Sequence, residues 1–243
     1  MCRGLDSDSE LQTGELANAA DDTRQGFIDT ATKTSGNGSL KFTLRAGMRV
    51  ANIGGAWSTS LGKKFVSGEI IYVQWRQRMS AAFLENAKNY WRSSIKQINI
   101  HGPRSTCQGA EYATVYYNGM PSMYTNCGDG FDTDATTNQL CNGQCSDILI
   151  QQGNSLIPSP NGDGYNCHYN NQVPGIGDGS GCFFFPADTW VTYYEKITIG
   201  DFGGTNSAVD AWVAVNNGPY KQFQRAAGTP FRANLDDNFT LIR

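Results

Sequence analysis

The chain has 243 residues, of which 39% are hydrophobic and 17% are charged, and its formal net charge at pH 7 is −3. That hydrophobic content is enough for a folded core and excludes global disorder. A slightly negative chain with no basic run offers no surface for a nucleic-acid backbone, and no apolar run is long enough to span a membrane. The 28 glycines, with many Asn, Asp and Ser residues, favour short strands over long helices, so we predict an all-β protein.

Residues 1–25 are polar and acidic, and we expect them to form an N-terminal arm. Met1–Glu10 lack the apolar segment of a signal peptide. Either a leader has been removed, or the protein leaves its cell without one, as a phage virion protein does at lysis. Residues 26–243 are expected to form a single domain, because no Pro/Ser linker or charge run marks a boundary within them.

Three predicted strands carry polar residues at alternate positions: Gly68–Arg78, Ser94–His101 and Trp190–Gly200. Strand side chains alternate between faces, which groups Gln74, Arg76 and Arg78 in the first strand, Gln97, Asn99 and His101 in the second, and Tyr194, Lys196 and Thr198 in the third. If the three strands lie side by side, these faces merge into the floor of a glycan groove. The alternative is an ordinary solvated sheet face without a function.

Between residues 129 and 182 the periodicity is lost, and Gly, Asn, Asp and Ser dominate. A loop of this length in a compact domain is expected where it is functional or cross-linked. Six cysteines lie in or near it, and we expect neighbours to pair, although other pairings remain open: Cys107 with Cys127, Cys141 with Cys145, and Cys167 with Cys182. Zinc bound by Cys141, Cys145 and His168 is the alternative. Disulfides indicate an oxidising final location, extracellular or on the surface of a cell or virion.

Other elements follow the same alternation. Ser39–Arg45 reads as an early strand, residues 81–90 as a short helical stretch, and Glu111–Tyr117 with Met120–Tyr124 as a hairpin. Near the end of the chain, Ala208–Asn216 reads as a strand on which Asp210, Trp212 and Ala214 share a face.

Several of these motifs, in this order, resemble the concanavalin A-like jelly-roll proteins related to the alginate, glucuronan and heparin lyases: Gly38–Thr43, Gly68–Glu69 with Tyr72–Arg78, Lys96–Gln97, Trp190–Gly200 and Asp210–Ala214. The resemblance implies a jelly-roll β-sandwich of two antiparallel sheets, and the cysteines add the expectation that disulfides cross-link its long loop region. It also implies a concave sheet that grips an extended acidic polysaccharide.

This sequence also departs from the lyase pattern at several positions. The Gln-Ile-His motif is split between Gln97-Ile-Asn99 and Asn99-Ile-His101, and Gly200 follows Ile199 where the lyases have a second Tyr. Such folds also close with a late strand containing Trp and Asp-Asp, so the ending at residues 236–243 predicts that a C-terminal strand is missing.

A uronate lyase must neutralise the carboxylate, remove the C5 proton and protonate the leaving oxygen. The predicted catalytic set is His101 as base, Tyr194 as acid, and Gln97 and Arg76 as neutralising donors. Tyr117 is the alternative to Tyr194, and either tyrosine is also an alternative base. The predicted substrate-binding residues are Arg78, Gln74, Asn99, Glu111, Tyr117, Lys196 and Trp212. For His101 the alternative is a strand-end histidine that bonds a turn.

The predicted partner is an acidic polysaccharide or surface glycan; the protein is expected to bind it, and whether it also cleaves it by β-elimination stays open. A glycoside hydrolase is disfavoured, because the Glu-x-Asp-x-x-Glu pattern of jelly-roll hydrolases is missing. The second hypothesis is a non-catalytic virion decoration, fibre or adhesin module that assembles symmetrically. No catalytic metal or cofactor is predicted; structural calcium would fit the Asp-rich turns at 129–134 and 161–163.

Overall fold

A computed structural model describes residues 16–17, 26–43, 56–57, 59–87, 95–101, 111–117, 120–125, 148–150, 153–154, 183–201, 206–229 and 239–242. In chain order the elements are β1 (Leu16–Ala17), β2 (Gly26–Asp29), β3 (Ser39–Phe42), β4 (Ala56–Trp57), β5 (Thr59–Phe65), β6 (Ile70–Arg78), α1 (Ala81–Ala87), β7 (Ile95–His101), β8 (Glu111–Tyr117), β9 (Met120–Thr125), β10 (Ile148–Ile150), β11 (Gly153–Asn154), β12 (Trp190–Thr198), β13 (Ser207–Val215), β14 (Lys221–Thr229) and β15 (Phe239–Ile242).

The strands form two large sheets and two small ones. The larger sheets have the strand orders β10-β9-β8-β7-β15-β5 and β11-β14-β13-β12-β6, and the small ones pair β1 with β4 and β2 with β3. The predicted hairpin is confirmed as β8 paired with β9, and the predicted helical stretch as α1. Antiparallel sheets with a single short helix among the described residues confirm the all-β prediction.

The chain divides into two compact units, 1–61 with 241–243, and 62–240. In the first unit, β2 and β3 form an antiparallel pair in which Lys41 Nζ lies 3.0 Å from Asp29 Oδ2. Of the predicted arm, only Leu16–Ala17 is described, so the arm stays a prediction. All seven cysteines and the predicted calcium loops lie outside the described residues. The disulfides and the structural calcium therefore stay predictions.

The second unit contains the core. On β12, Val191, Thr192 and Tyr193 are all buried, burial alternates from Tyr193 to Thr198, and Tyr193 and Ile197 are at most 1% exposed. The neighbouring strands β6 and β13 bury the matching positions, among them Val73 and Ala211. Trp75 stacks on Tyr193 with 4.7 Å between ring centroids and 9° between planes. The alternation predicted from sequence for β6 and β12 therefore sets which side chains enter the core.

One charged residue lies on the core face of β12. Glu195 is fully buried, and its Oε1 accepts a hydrogen bond of 2.6 Å from Thr114 Oγ1 on β8, which is also fully buried. Because Thr114 and Glu195 belong to different large sheets, this hydrogen bond connects the sheets across the core. Burial and the nearby Glu195 charge raise the pKa of Tyr193 well above its ordinary value.

Replacing Thr114 with Val keeps its shape and removes the donor to Glu195. Loss of a buried hydrogen bond to a charged group should lower the free energy of unfolding by about 2 kcal/mol, measured by chemical denaturation. Thr192→Val is the matched control, because Thr192 is buried and its hydroxyl has no hydrogen-bond partner in the described part of the chain. Equal losses in the two variants would contradict the role given to Thr114.

The turn before β6 fixes the start of that strand. Gly68 has φ +84°, a conformation that favours glycine, and its N–H donates to the Ile199 carbonyl at 2.9 Å. Glu69 accepts hydrogen bonds from Lys63 Nζ and Val66 N–H, both at 2.8 Å. The Lys63 contact, followed by the Val66 contact, lowers the pKa of Glu69 below its ordinary 4.5.

A lowered folded-state pKa means that ionised Glu69 stabilises the fold above its ordinary pKa. This contribution disappears as the pH falls through the lowered value. We expect Glu69→Gln to lower the free energy of unfolding at neutral pH and the two proteins to converge in acid, in denaturation curves across pH. A difference that persisted unchanged into acid would contradict this assignment.

Candidate functional site

The outward face of the β11-β14-β13-β12-β6 sheet gathers most of the predicted site residues. β12 pairs with β6 and β13 without a register shift, so Tyr194 lies opposite both Gln74 and Trp212. One row further along, Lys196 lies opposite both Tyr72 and Asp210. Each of these side chains is exposed or half-buried, while its sequence neighbours on the same strand include the buried core residues.

Four aromatic rings form the centre of this face, around Tyr194. Its ring centroid lies 6.1 Å from Tyr72, 5.6 Å from Trp212 and 6.2 Å from Tyr220. Tyr72 is 58% exposed and Tyr220 is 49% exposed, so a ligand can reach both. An open depression of about 350 Å³ is lined by Gln74, Tyr194, Trp212 and Tyr220. We call these five residues, Gln74 and the four aromatics, the aromatic platform.

A cationic residue, Lys196, lies one row away from Tyr194 on the same face. Lys196 lies on the same side of β12 as Tyr194 and has no hydrogen-bond or ion-pair partner among the described residues. Asp210, opposite Lys196, instead accepts hydrogen bonds from Arg225 Nε at 3.1 Å and Gln222 Nε2 at 3.2 Å. A cation without a carboxylate partner is a favourable site for an anionic ligand.

The two arginines of β6 have different surroundings. Arg78 is paired with Asp188, whose carboxylate accepts at 2.7 Å and whose carbonyl accepts at 3.0 Å. Arg76 is exposed, and its guanidinium donates to the amide oxygen of Asn217 at 2.6 Å. Arg78 therefore anchors the turn at Asp188, and this contact argues against the substrate-binding role predicted for it.

The expectation that three polar strands lie side by side is confirmed for β6 and β12 and is wrong for β7. The predicted site residues are divided between the two large sheets. The five-stranded sheet contains Gln74, Arg76, Arg78, Tyr194, Lys196 and Trp212, and the six-stranded sheet contains Gln97, Asn99, His101, Glu111 and Tyr117. After β6, the chain passes through α1 and β7 pairs with β8, so the polar residues of β7 do not extend the face of β6.

The residues on β7 and β8 have surroundings of their own. Asn99 is only 7% exposed, which leaves little of its side chain for a polymer to contact. The amide atoms of Gln97 are buried and have no hydrogen-bond partner among the residues that the structure describes. His101 pairs in register with Glu111. The roles predicted for Gln97 and His101 remain predictions, now on a different sheet from Arg76 and Tyr194.

Gly200, which stands where the lyases have a second Tyr, lies in a tight turn. A Cβ at this position would lie 2.5 Å from Ser207 Oγ and 2.6 Å from Asn206 Oδ1. The Gly200 N–H donates to Ser207 Oγ at 2.9 Å, so the same contact that closes the turn excludes a side chain. This departure from the lyase pattern has a local structural reason.

Three residues of the face were missed from the sequence: Tyr72, Asn217 and Tyr220. Tyr72 stands two residues before Gln74 on the same strand, so the alternation contained the signal for it. Asn217 and Tyr220 lie between β13 and β14, where no periodicity predicts which way a side chain points.

Comparisons with known proteins agree with this architecture. No family model matches the chain, and no curated protein has a similar sequence. Among solved structures, the endo-β-1,4-glucuronan lyase of the fungus Trichoderma reesei superposes with a TM-score of 0.50 at 10% identity, over 90% of this chain and 74% of that one. The resemblance to the jelly-roll polysaccharide lyases is confirmed at the level of the fold.

A second solved structure is also similar. The marine PL-14 alginate lyase of Aplysia kurodai has a TM-score of 0.48 at 11% identity, over 90% of this chain and 76% of that one.

In the described ranges, no group of three or more His, Cys, Asp and Glu side chains is arranged to hold a metal ion. The single described helix, α1, is too short to cross a membrane.

If Arg78 is an anchor, Arg78→Ala should lower the free energy of unfolding by about 1 kcal/mol, because the pair with Asp188 is partly exposed. Asp188→Asn should lower it similarly, since Asp188 has φ 53° and Asn tolerates this conformation. Chemical denaturation measures both. Unchanged stability of Arg78→Ala together with weaker binding of an acidic polymer would restore Arg78 to the binding residues.

Proposed function

We propose that the outward face of the five-stranded sheet binds an acidic polysaccharide, and that the protein acts outside the cell or on a cell or virion surface. One observation supports this most directly: four aromatic rings cluster around Tyr194, three of them line an open depression, and Lys196 lies one row further along the same face. Aromatic rings pack against the apolar C–H faces of sugars, and an ammonium group attracts a uronate carboxylate.

Different residues of the face would supply the apolar contacts and the positive charge. The aromatic platform supplies apolar contact and one amide, Gln74, for sugar hydroxyls. Lys196 and Arg76 supply positive charge on either side of the row that contains Tyr194, because Arg76 precedes that row and Lys196 follows it. A polymer lying across the strands would therefore meet cations along both edges. The similarity to a glucuronan lyase makes glucuronan the first polymer to test.

The second part of the proposal is that the protein cleaves the bound glycan by β-elimination. In a β-elimination on this face, Arg76 or Lys196 would neutralise the uronate carboxylate, which acidifies the C5 proton. Tyr194, at the centre of the platform, would react as the phenolate: its oxygen would take the C5 proton, the C4–O bond would break as the C4=C5 double bond forms, and the resulting hydroxyl would donate the proton to the leaving glycosidic oxygen. Since Gln97 and His101 lie in the other sheet, the reaction on this face would proceed without them.

The second candidate is a non-catalytic module. It is favoured because the predicted catalytic residues are divided between two sheets. The lyase pattern joins its Gln and His to the Arg and Tyr residues, whereas here those groups belong to two sheets. Such a module would hold a surface glycan on the aromatic platform and release no product.

Binding is tested by calorimetric titration with glucuronan and alginate. Tyr194→Ala and Trp212→Ala should each weaken binding roughly tenfold, because each removes a stacking ring from the depression. Phe42→Ala, at an exposed aromatic residue of β3, is the control and should bind as the wild type does. Failure of the wild type to bind any uronate polymer would overturn the proposed function.

Turnover is tested by the ultraviolet absorbance of the unsaturated sugar that β-elimination releases. We expect Tyr194→Phe to abolish the rise and His101→Ala to retain it, because only Tyr194 lies on the aromatic platform. The opposite result would move the reaction to β7 and β8. Binding without any rise would identify the non-catalytic module.

A further inference from the structure

A row of charged residues crosses three strands beside the aromatic platform. On the outward face, Lys196 of β12 lies opposite Asp210 of β13, and Asp210 lies opposite Arg225 of β14. Side chains that lie directly opposite each other on neighbouring strands are close enough to interact, and opposite charges in such positions attract. The strand register therefore places the Asp210 carboxylate between two cations, with either of which it could pair.

The hydrogen bonds of Asp210 show which cation it pairs with. Arg225 Nε donates to Asp210 Oδ1 at 3.1 Å, and Gln222 Nε2 donates to the same oxygen at 3.2 Å. The Asp210 side chain is 19% exposed, compared with 51% for Arg225. Lys196 has no partner in the part of the chain that the structure describes. The carboxylate is held on the β14 side of the row, and the positive charge that it leaves uncompensated is that of Lys196.

An irregularity in β14 supplies the second donor to this carboxylate. Ala211 of β13 pairs with Gln224. The next residue, Trp212, pairs with Gln222, which leaves Phe223 as an extra residue in β14. Phe223 and Gln224 are both buried, so the alternation of the strand is broken at this bulge. As a result, Gln222 faces outward opposite Trp212, on the same side of the sheet as the charged row.

The charged row would behave differently without Arg225. The Asp210 carboxylate would then have Lys196 as the remaining cation opposite it. Gln222 would compete poorly for the carboxylate, because a neutral amide is a weaker donor to a carboxylate than a charged group is. An ion pair between Asp210 and Lys196 would neutralise the ammonium that the proposed function assigns to a uronate.

We propose that Arg225 determines the preference of the binding face for acidic over neutral glycan, and that it does so through Asp210. Arg225 is a positioning residue: it holds the Asp210 carboxylate on the β14 side of the row, which keeps the Lys196 ammonium for a carboxylate of the glycan. This inference rests on the proposed binding of an acidic polysaccharide, and it adds a determinant that lies two strands away from Lys196.

The test is a double-mutant cycle in the full chain. Arg225→Met keeps the aliphatic stem and removes the donor to Asp210. Asp210→Asn keeps the shape of the side chain and removes its charge, and the double variant combines the two changes. Lys221→Met is the matched control, because it also removes one positive charge from an exposed position of β14, outside the charged row.

Each protein is titrated calorimetrically with glucuronan and with the same polymer after chemical reduction of its carboxyl groups. Arg225→Met should weaken glucuronan binding about two- to fivefold, the range expected when an exposed ion pair competes for Lys196, and leave binding of the reduced polymer unchanged. Lys221→Met should bind both polymers as the wild type does. In the Asp210→Asn background, Arg225→Met should cause no further loss, because no carboxylate is left to pair with Lys196.

Three results would overturn the inference. An equal loss from Arg225→Met in the wild-type and Asp210→Asn backgrounds would show that Arg225 acts on the polymer directly. An equal loss from Lys221→Met would show a general effect of charge, and equal losses on the two polymers would show a structural effect of β14. In these cases the wild type still binds glucuronan, so the proposed function survives. If the wild type binds no uronate polymer, the proposed function fails and this inference fails with it.

Discussion

The arrangement of both the core and the candidate site depends on the unbroken antiparallel pairing of β6 with β12, from Trp190 opposite Arg78 to Thr198 opposite Ile70. Because side chains alternate along a strand, this single register places Tyr193 on Trp75 in the core and Tyr194 beside Gln74 outside. A shift of one residue would exchange the two faces. Backbone hydrogen bonds between the turn at Gly68 and Ile199 hold the register at one end.

The sequence predicted which side chains share one face of a strand, because side chains alternate between the two faces at successive positions. Gln74 and Tyr194 were assigned correctly for that reason. The partner of a strand was not predictable, because β7 carries apolar and polar residues that suit either sheet. In the structure β7 pairs with β8, the next strand along the chain, and its other neighbour is β15 from the end of the chain. The burial of Glu195 was not predictable either, because its buried hydrogen-bond partner Thr114 lies 81 positions away in the sequence.

The face combines residues that serve stability with residues available to a ligand, sometimes two positions apart. Arg78 is paired with a carboxylate and anchors a turn, whereas Arg76 contacts a neutral amide near the aromatic platform. Asp210 is bound by Arg225 and Gln222, which leaves the neighbouring Lys196 without a carboxylate partner in the described residues. Residue type alone does not separate these roles, because the partners come from elsewhere in the chain: Asp188 and Asn217 lie in turns, and Gln222 and Arg225 lie on β14.

The most direct test of the account is to locate where an acidic glycan binds. Hydrogen–deuterium exchange of the wild-type protein, with and without a short glucuronan oligosaccharide, reports which backbone amides are protected. The account predicts protection in β6, β12, β13 and the turn at Asn216–Tyr220, with β7 and β8 unchanged. Protection confined to β7 and β8, around Gln97 and His101, would contradict it and place the glycan on the other sheet.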